Sequence, residues 1–212
     1  MHVYIIPVET YQHILSLADL LTTVLDNAHL DSGHVEYRES TFSLNAMLAP
    51  SCNELGPVAQ AKRLQLKIEV PERTIWLRTD RVKLQRVISN LVSNAVKFTE
   101  QGGVTVAAAL TADRVAMICV QDTGVGIAPQ QLEAIFTEFA QVRTSDSGGN
   151  IGWGLGLAIC RRLVKLIGGR ITVDSKLNHG SVFKVRLPPE CVVDQPGGEF
   201  PVALQLKVQS YS

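Results

Sequence analysis

Two asparagines one helical turn apart stand in the stretch Asn90-Leu91-Val92-Ser93-Asn94-Ala95-Val96-Lys97, so their amides share a face of any helix formed there. Leu91 and Val92 are apolar, which sets those amides beside a core, where polar groups need partners. A hydrated Mg2+ carrying phosphate oxygens would supply them, because Mg2+ takes only one or two oxygen ligands from protein. Lys97 is placed to hold a phosphate. Taken alone, the pair reads more readily as amides that cap or bridge backbone groups. A second cluster, Asp122-Thr123-Gly124-Val125-Gly126-Ile127, follows an apolar run. Its glycines permit close backbone approach, and Asp122 could accept a hydrogen bond from a ligand amine; an ordinary turn fits the same residues. The third, Gly148-Gly149-Asn150-Ile151-Gly152-Trp153-Gly154-Leu155-Gly156, runs into a helical pattern. Unpaired N–H groups and the positive end of a helix dipole would there face an anion. It fits neither GxxxxGK[ST] nor a GxGxxG after a strand, and no GxSxG or Cys/Ser–His arrangement supports nucleophilic catalysis.

The elements that must carry these clusters follow from periodicity. Ile14, Leu17, Leu21, Val24 and Ala28 are spaced 3, 4, 3, 4, a heptad seam predicting one arm of a bundle or coiled coil over Val8–Asp31. Phe42–Lys62 is predicted helical, with a kink or break at Pro50 and Pro57. Gln65–Val70 alternates as a strand and Ile75–Leu77 is a short one. Thr79-Asp80 caps a long helix to Phe98, with Leu84, Val87, Ile88, Leu91, Val92 and Ala95 as its buried stripe. Strands are predicted at Val104–Leu110 and Arg114–Gln121, and a helix over Pro129–Phe136. A mobile loop is expected over Ala140–Gly152, then a helix Leu155–Ile167 stopped by Gly168-Gly169. Strands Arg170–Ser175 and Ser181–Leu187 precede Pro188-Pro189, where order is expected to end. Cys191–Ser212 reads as a tail with one candidate strand, Val202–Val208. Helices alternate with hairpin-like strand pairs, which predicts a mixed sheet with helices on one face.

Composition bounds the function. The 212 residues are 46% apolar and 19% charged, which excludes a disordered chain. Twenty basic residues balance twenty acidic ones, which argues against a broad grip on nucleic acid or an anionic membrane. Cys52, Cys119, Cys160 and Cys191 are scattered without metal-ligand spacing and are expected to be reduced. No run of about 18 apolar residues predicts a membrane span, and the first residues do not read as a signal peptide. A cytoplasmic domain is expected.

The three clusters together resemble the catalytic, ATP-binding domain of sensor histidine kinases, within the wider group of DNA gyrase B, the heat-shock-90 chaperone and MutL. NLVSNAVKFT resembles the asparagine box, DTGVGIAP the first glycine box, IFTEFAQV the phenylalanine box and GWGLGLAIC the second glycine box, in family order. The likeness covers about Phe42–Pro188. Upstream, LDNAHLDSGHVEY resembles the end of the second helix of the dimerisation and phosphoacceptor hairpin. The organisation so implied is a partial hairpin over residues 1–33, a catalytic domain over 42–190 and a tail or linker over 191–212. The implied fold is an α/β two-layer sandwich, a mixed sheet backed by three helices and preceded by one long heptad-patterned helix.

The resemblance implies ATP and Mg2+ as cofactors. Asn94 would bind Mg2+, Asn90 would support the triphosphate and Lys97 would contact phosphate. Asp122 would bind the adenine amino group, with Gly124, Gly126 and Ile127 shaping that pocket. Phe136 and Phe139 would anchor a lid. Gly152, Gly154, Leu155 and Gly156 would bring backbone amides near the phosphates, and Ser181 would lie near the pocket floor. Trp153 stands where the family often has a small hydroxylated residue. Hydrolytic relatives carry Glu at the position of Asn90; an amide lacks the basicity to activate water, so a kinase is implied rather than a hydrolytic machine. The acceptor histidine of the family lies in a segment like HE[LI]RTP, which this sequence does not contain. His2, His13, His29, His34 and His179 lack that context and are expected to be solvated or packing residues. Implied partners are therefore an acceptor helix or histidine domain outside this sequence and a response regulator receiver domain, with a possible homodimer through the N-terminal helix. A catalytically silent nucleotide-binding regulatory module is the alternative.

Overall fold

The computed structural model describes residues 36–140 and 154–194. The heptad segment, Gly152, Trp153 and Val202–Val208 lie outside the described residues, as does nearly all of the loop expected from Ala140 to Gly152.

The long central helix α3 (Arg81–Phe98) organises the fold. Asp80 caps it by accepting the Lys83 N–H, and Leu84, Val87, Ile88, Leu91, Val92, Ala95 and Val96 form the stripe that helical periodicity requires. Its C-terminal carbonyls are closed by a residue far away in sequence. Lys62 Nζ donates to Val96 O (2.9 Å), Lys97 O (2.8 Å) and Thr99 O (3.3 Å), a cation at the negative end of the helix dipole.

Ahead of α3 the chain forms β1 (Ser40–Ser43), α1 (Leu44–Asn53), α2 (Gly56–Ala61), β2 (Gln65–Glu69) and β3 (Trp76–Thr79). Phe42 thus lies in a strand rather than in the predicted helix, and the break falls after Asn53 rather than at Pro50. Pro50 and Ala46 are exposed, so water can serve the carbonyl that Pro50 cannot reach, while Leu44, Met47, Leu48 and Cys52 hold the buried face. Pro57 sits in the first turn of α2, where its missing N–H costs little.

Beyond α3 come β4 (Gly103–Leu110), β5 (Ala116–Asp122), α4 (Gly156–Leu166), β6 (Arg170–Lys176), β7 (Gly180–Leu187) and β8 (Val192–Val193). The helix predicted at Pro129–Phe136 is instead two 3-10 turns, Pro129–Gln131 and Ala134–Phe136. Of these residues only Ile135 is buried, too little apolar contact to stabilise a helix so short. α4 ends as predicted: Gly168 N donates to Lys165 O and Gly169 N to Val164 O, the paired bonds of a Schellman cap.

Five strands form a mixed sheet in the order β2-β4-β5-β7-β6, with β2 parallel to β4 and all other neighbours antiparallel. β4–β5 and β6–β7 are hairpin pairs, but β2 and β3 are not: a parallel neighbour needs a crossover, and the chain between β2 and β4 runs through β3 and α3. β3 lies in a second sheet of order β1-β3-β8. Order therefore continues past Pro188-Pro189, because Val192 and Val193 pair with Leu77 and Trp76. One core, from Leu48, Leu84, Ile88 and Leu91 to Val106, Ile118, Val120 and Val185, lies between the five-stranded sheet and α1, α3 and α4. The mixed sheet backed by three helices is the α/β sandwich expected from the sequence.

Candidate functional site

The second half of α3 is the meeting place of the three clusters. Asn90 and Asn94 are half-buried one turn apart, and Asn94 Nδ2 donates to Asn90 Oδ1 at 3.1 Å. The two amides thus hold each other's orientation, and among the described residues neither is bonded to a backbone group. Asn94 Oδ1 makes no hydrogen bond among the described residues. Behind Asn90 lies Gly156, the first residue of α4; a Cβ there would stand 2.7 Å from Asn90 Nδ2 and 2.9 Å from its Oδ1. The glycine therefore lets the N-terminus of α4 come against the asparagine edge. Lys97 is exposed, with Nζ 5.5 Å from the centre of the Phe98 ring. Partial loss of hydration, then the charge of Lys62, lowers its pKa.

Asp122 closes β5 and is 4% exposed. Its Oδ1 accepts from Gly124 N (2.8 Å) and Ser181 N (3.3 Å); neither backbone donor goes to Oδ2. Burial pushes this carboxyl above its ordinary value, and the bonds from Gly124 and Ser181 offset part of the rise. The loop after Asp122 is bolted to α3, since Val125 N donates to Phe98 O. Gly126 has φ +66°, and a Cβ there would run into the Lys176 carbonyl, so the turn accepts no side chain. Ile127 N donates to Ser175 Oγ (2.8 Å), which donates to Gly180 O (2.8 Å) and lies 3.0 Å from Ser181 Oγ. Ser175 is thus the hub joining Ile127, Gly180 and Ser181.

The structure brings Asn90, Asn94 and Gly156 together, and separately Asp122, Gly124, Ile127 and Ser181, with α3 and the loop from Asp122 joining the two groups. Other predicted residues sit differently. Leu155 is 2% exposed and packs in the core, so only its backbone is available to a ligand. Phe136 stacks edge-on against Phe183, ring centres 6.5 Å apart, with the Arg161 guanidinium 5.8 Å from the Phe136 ring centre. Phe139 is 69% exposed with φ +62°. Gly154 packs on the backbone of Phe139 and Ala140, so the residues bounding 141–153 touch. Sequence reasoning missed Ser175 and Lys62. Ser175 carried a weak signal, a hydroxyl at a strand end before a turn. Lys62 carried none, because its partners lie more than thirty residues on.

The site fits a magnesium nucleotide. Asn94 offers an amide oxygen that no described residue bonds, of the kind a hard cation takes, Lys97 offers a cation, and the buried Asp122 offers a carboxylate acceptor. Among the described residues no cluster of three or more His, Cys, Asp or Glu could itself hold a metal, so any ion here would depend on oxygens from its ligand and water.

Residues 79–190 match the family described as histidine kinase-, DNA gyrase B-, and HSP90-like ATPase, and the chain belongs to this family. Its named relatives are of the histidine kinase type. It is 36% identical over 177 residues to the sensor protein GacS of Pseudomonas syringae pv. syringae, covering 81% of this chain and 20% of GacS. It is 34% identical over 181 residues to the circadian input-output histidine kinase CikA of Synechococcus elongatus, covering 84% of this chain and 24% of CikA. The chain therefore spans about a fifth to a quarter of the length of these relatives. Among solved structures, full-length ShkA in complex with AMPPNP superposes with a TM-score of 0.75 at 28% identity, over 91% of this chain and 41% of ShkA. The catalytic domain of histidine kinase ThkA gives 0.61 at 25% identity, over 72% of this chain and 96% of that domain.

Proposed function

We propose that this chain is the ATP-binding catalytic portion of a sensor histidine kinase, which holds Mg-ATP and delivers its γ-phosphoryl group to a histidine on an acceptor helix outside this sequence. The observation that carries the proposal is the Asn90–Asn94 edge: a metal-competent amide oxygen beside an N-terminal helix turn, with an amide where a hydrolytic enzyme needs a base.

In this reading Asn94 Oδ1 ligates the ion, Asn90 fixes the Asn94 amide and supports the triphosphate, and Lys97 neutralises phosphate charge. Asp122 accepts from the adenine amine, with Gly124, Gly126, Ile127 and Ser181 shaping the surrounding wall. Gly152, Gly154, Leu155 and Gly156 contribute backbone N–H groups, and Phe136 and Phe139 anchor the segment between. Bound Mg2+ would neutralise charge on the transferring phosphoryl group. The protein's own part is positioning, which alone is worth several kcal/mol in such transfers, together with weak activation of water, because Asn90 cannot take its proton. A response regulator receiver domain would take the phosphoryl group onward, homodimerisation would run through the N-terminal heptad helix, and the domain would work on the cytoplasmic side, where ATP is supplied. No helix among the described residues is long and apolar enough to cross a membrane.

Two measurements test the proposal. The chain is incubated with γ-labelled ATP and a separately supplied histidine-bearing acceptor helix; label on the acceptor is expected, and ATP binding without any transfer would favour the silent regulatory module. Asn94→Ala should lower Mg-dependent ATP affinity by about a hundredfold, ~2.7 kcal/mol, with an unchanged circular dichroism spectrum. An unaltered ATP titration would remove Asn94 from the metal site.

A further inference from the structure

A groove of about 390 Å³ lies away from the asparagine edge, between α4, the 3-10 turn at Ala134–Phe136 and the residues that run from Gly169 into β6. Its floor is apolar, with Phe136, Val164 and Ile171. Its rim is cationic: Arg161, Lys165 and Arg170 are all exposed, against a single acid, Glu133. Among the described residues none of the three cations forms an ion pair; Arg161 only overlies the Phe136 ring.

β6 is the last strand of the five-stranded order, so one row of its N–H and C=O groups has no partner strand among the described residues. Five consecutive residues of this stretch, Gly169–Val173, line the groove. An extended chain laid there would find backbone partners on β6. Its side chains facing α4 would meet the apolar floor, with Arg161 and Lys165 at its rim. Those on the opposite face would lie beside Arg170, whose neighbour Ile171 packs toward the core. We propose that this groove is a docking site for an extended acidic segment of a partner protein, which adds to the sheet as a strand alongside β6. The excess of three cations over one acid selects an acidic occupant over a neutral or basic one. The unpaired strand edge selects an extended backbone over a helix.

The test uses the full 212-residue chain and a labelled heptapeptide alternating glutamate with valine, compared with the same peptide carrying lysine for glutamate and with an N-methylated version lacking ladder donors. The acidic peptide is expected to bind about tenfold more tightly than either control, and the variant R170E to lose about tenfold of that affinity. The variant's melting temperature and ATP affinity should be unchanged. Amide shifts should concentrate at Gly169–Val173. Three outcomes overturn the proposal: equal binding of the lysine peptide, shifts confined to other strands, or no binding, in which case the cations only guard an exposed edge. A fourth is acidic-peptide affinity that rises about tenfold when residues 195–212 are removed, since the occupant would then be the chain's own tail.

Discussion

Asp122 and Gly156 show how single side chains set the terms of the site. A buried carboxyl whose pKa is raised binds its proton more tightly folded than unfolded, so its contribution to stability is greatest in acid and declines as pH climbs above the ordinary value of 3.8. Asp122→Asn keeps an acceptor for the Gly124 and Ser181 N–H groups and removes the buried charge. It should therefore raise the melting temperature at pH 7 by roughly 2–4 °C, with the gain shrinking toward pH 4, while discrimination between ATP and a purine lacking the amino group collapses. A melting series across pH paired with titrations of both nucleotides measures this, and a variant less stable at neutral pH would contradict it. Gly156→Ala carries a different expectation. The new methyl meets the Asn90 amide, so ATP affinity should fall about tenfold, ~1.4 kcal/mol, by calorimetry, with little change in melting temperature. Both clusters were legible in the sequence as residue types at fixed spacing. What spacing could not convey was that Ser175 ties the Ile127 and Ser181 segments together.

At the scale of elements, α3 is held at both ends by residues from other parts of the chain. Asp80 is buried, which by itself would raise its pKa, but hydrogen bonds from the Lys83 ammonium and from the Arg38 and Lys83 N–H groups, with the Lys83 charge, outweigh that and the net value is lowered. A lowered acid pKa means stabilisation present above 3.8 and lost as pH falls through the folded value. Asp80→Ala should cost about 1–2 kcal/mol at pH 7; in urea melts the gap from wild type should close in strong acid, and a pH-independent gap would show that the cap acts without its charge. The Arg38 bond matters for connectivity. Lys83 also donates to the Glu36 carbonyl at 2.6 Å, so the chain entering the domain is fastened to the N-terminus of the helix whose far half carries Asn90 and Asn94.

For the whole molecule, the two sheets and the helix layer are interdependent. β8 covers β3, and Cys191 and Val192 complete the core. A chain ending at Pro188 would expose Leu77 and leave the β3 edge open. It should lose about 2 kcal/mol or more, roughly 4–8 °C in melting temperature, relative to one ending at Asp194; equal melting by scanning calorimetry would make β8 dispensable. Among the described residues β2 and β6 are the edges of the five-stranded sheet, and the docking proposed beside β6 rests on that open edge.

Local chemistry determined what a short window can contain. The Asp80 cap, the α3 stripe, the glycine stop of α4 and the hairpin pair β6–β7 follow from periodicity and backbone preference, and so does the asparagine edge. Only tertiary structure decided the rest, since it depends on groups brought together from distant parts of the chain. Whether β2 pairs with β3 or with β4, whether Pro129–Phe136 gains enough contact to become a helix, which lysine closes α3, and that Val192–Val193 completes a sheet are all outcomes of burial and hydrogen-bond partners supplied elsewhere, and no local pattern of residues encodes them.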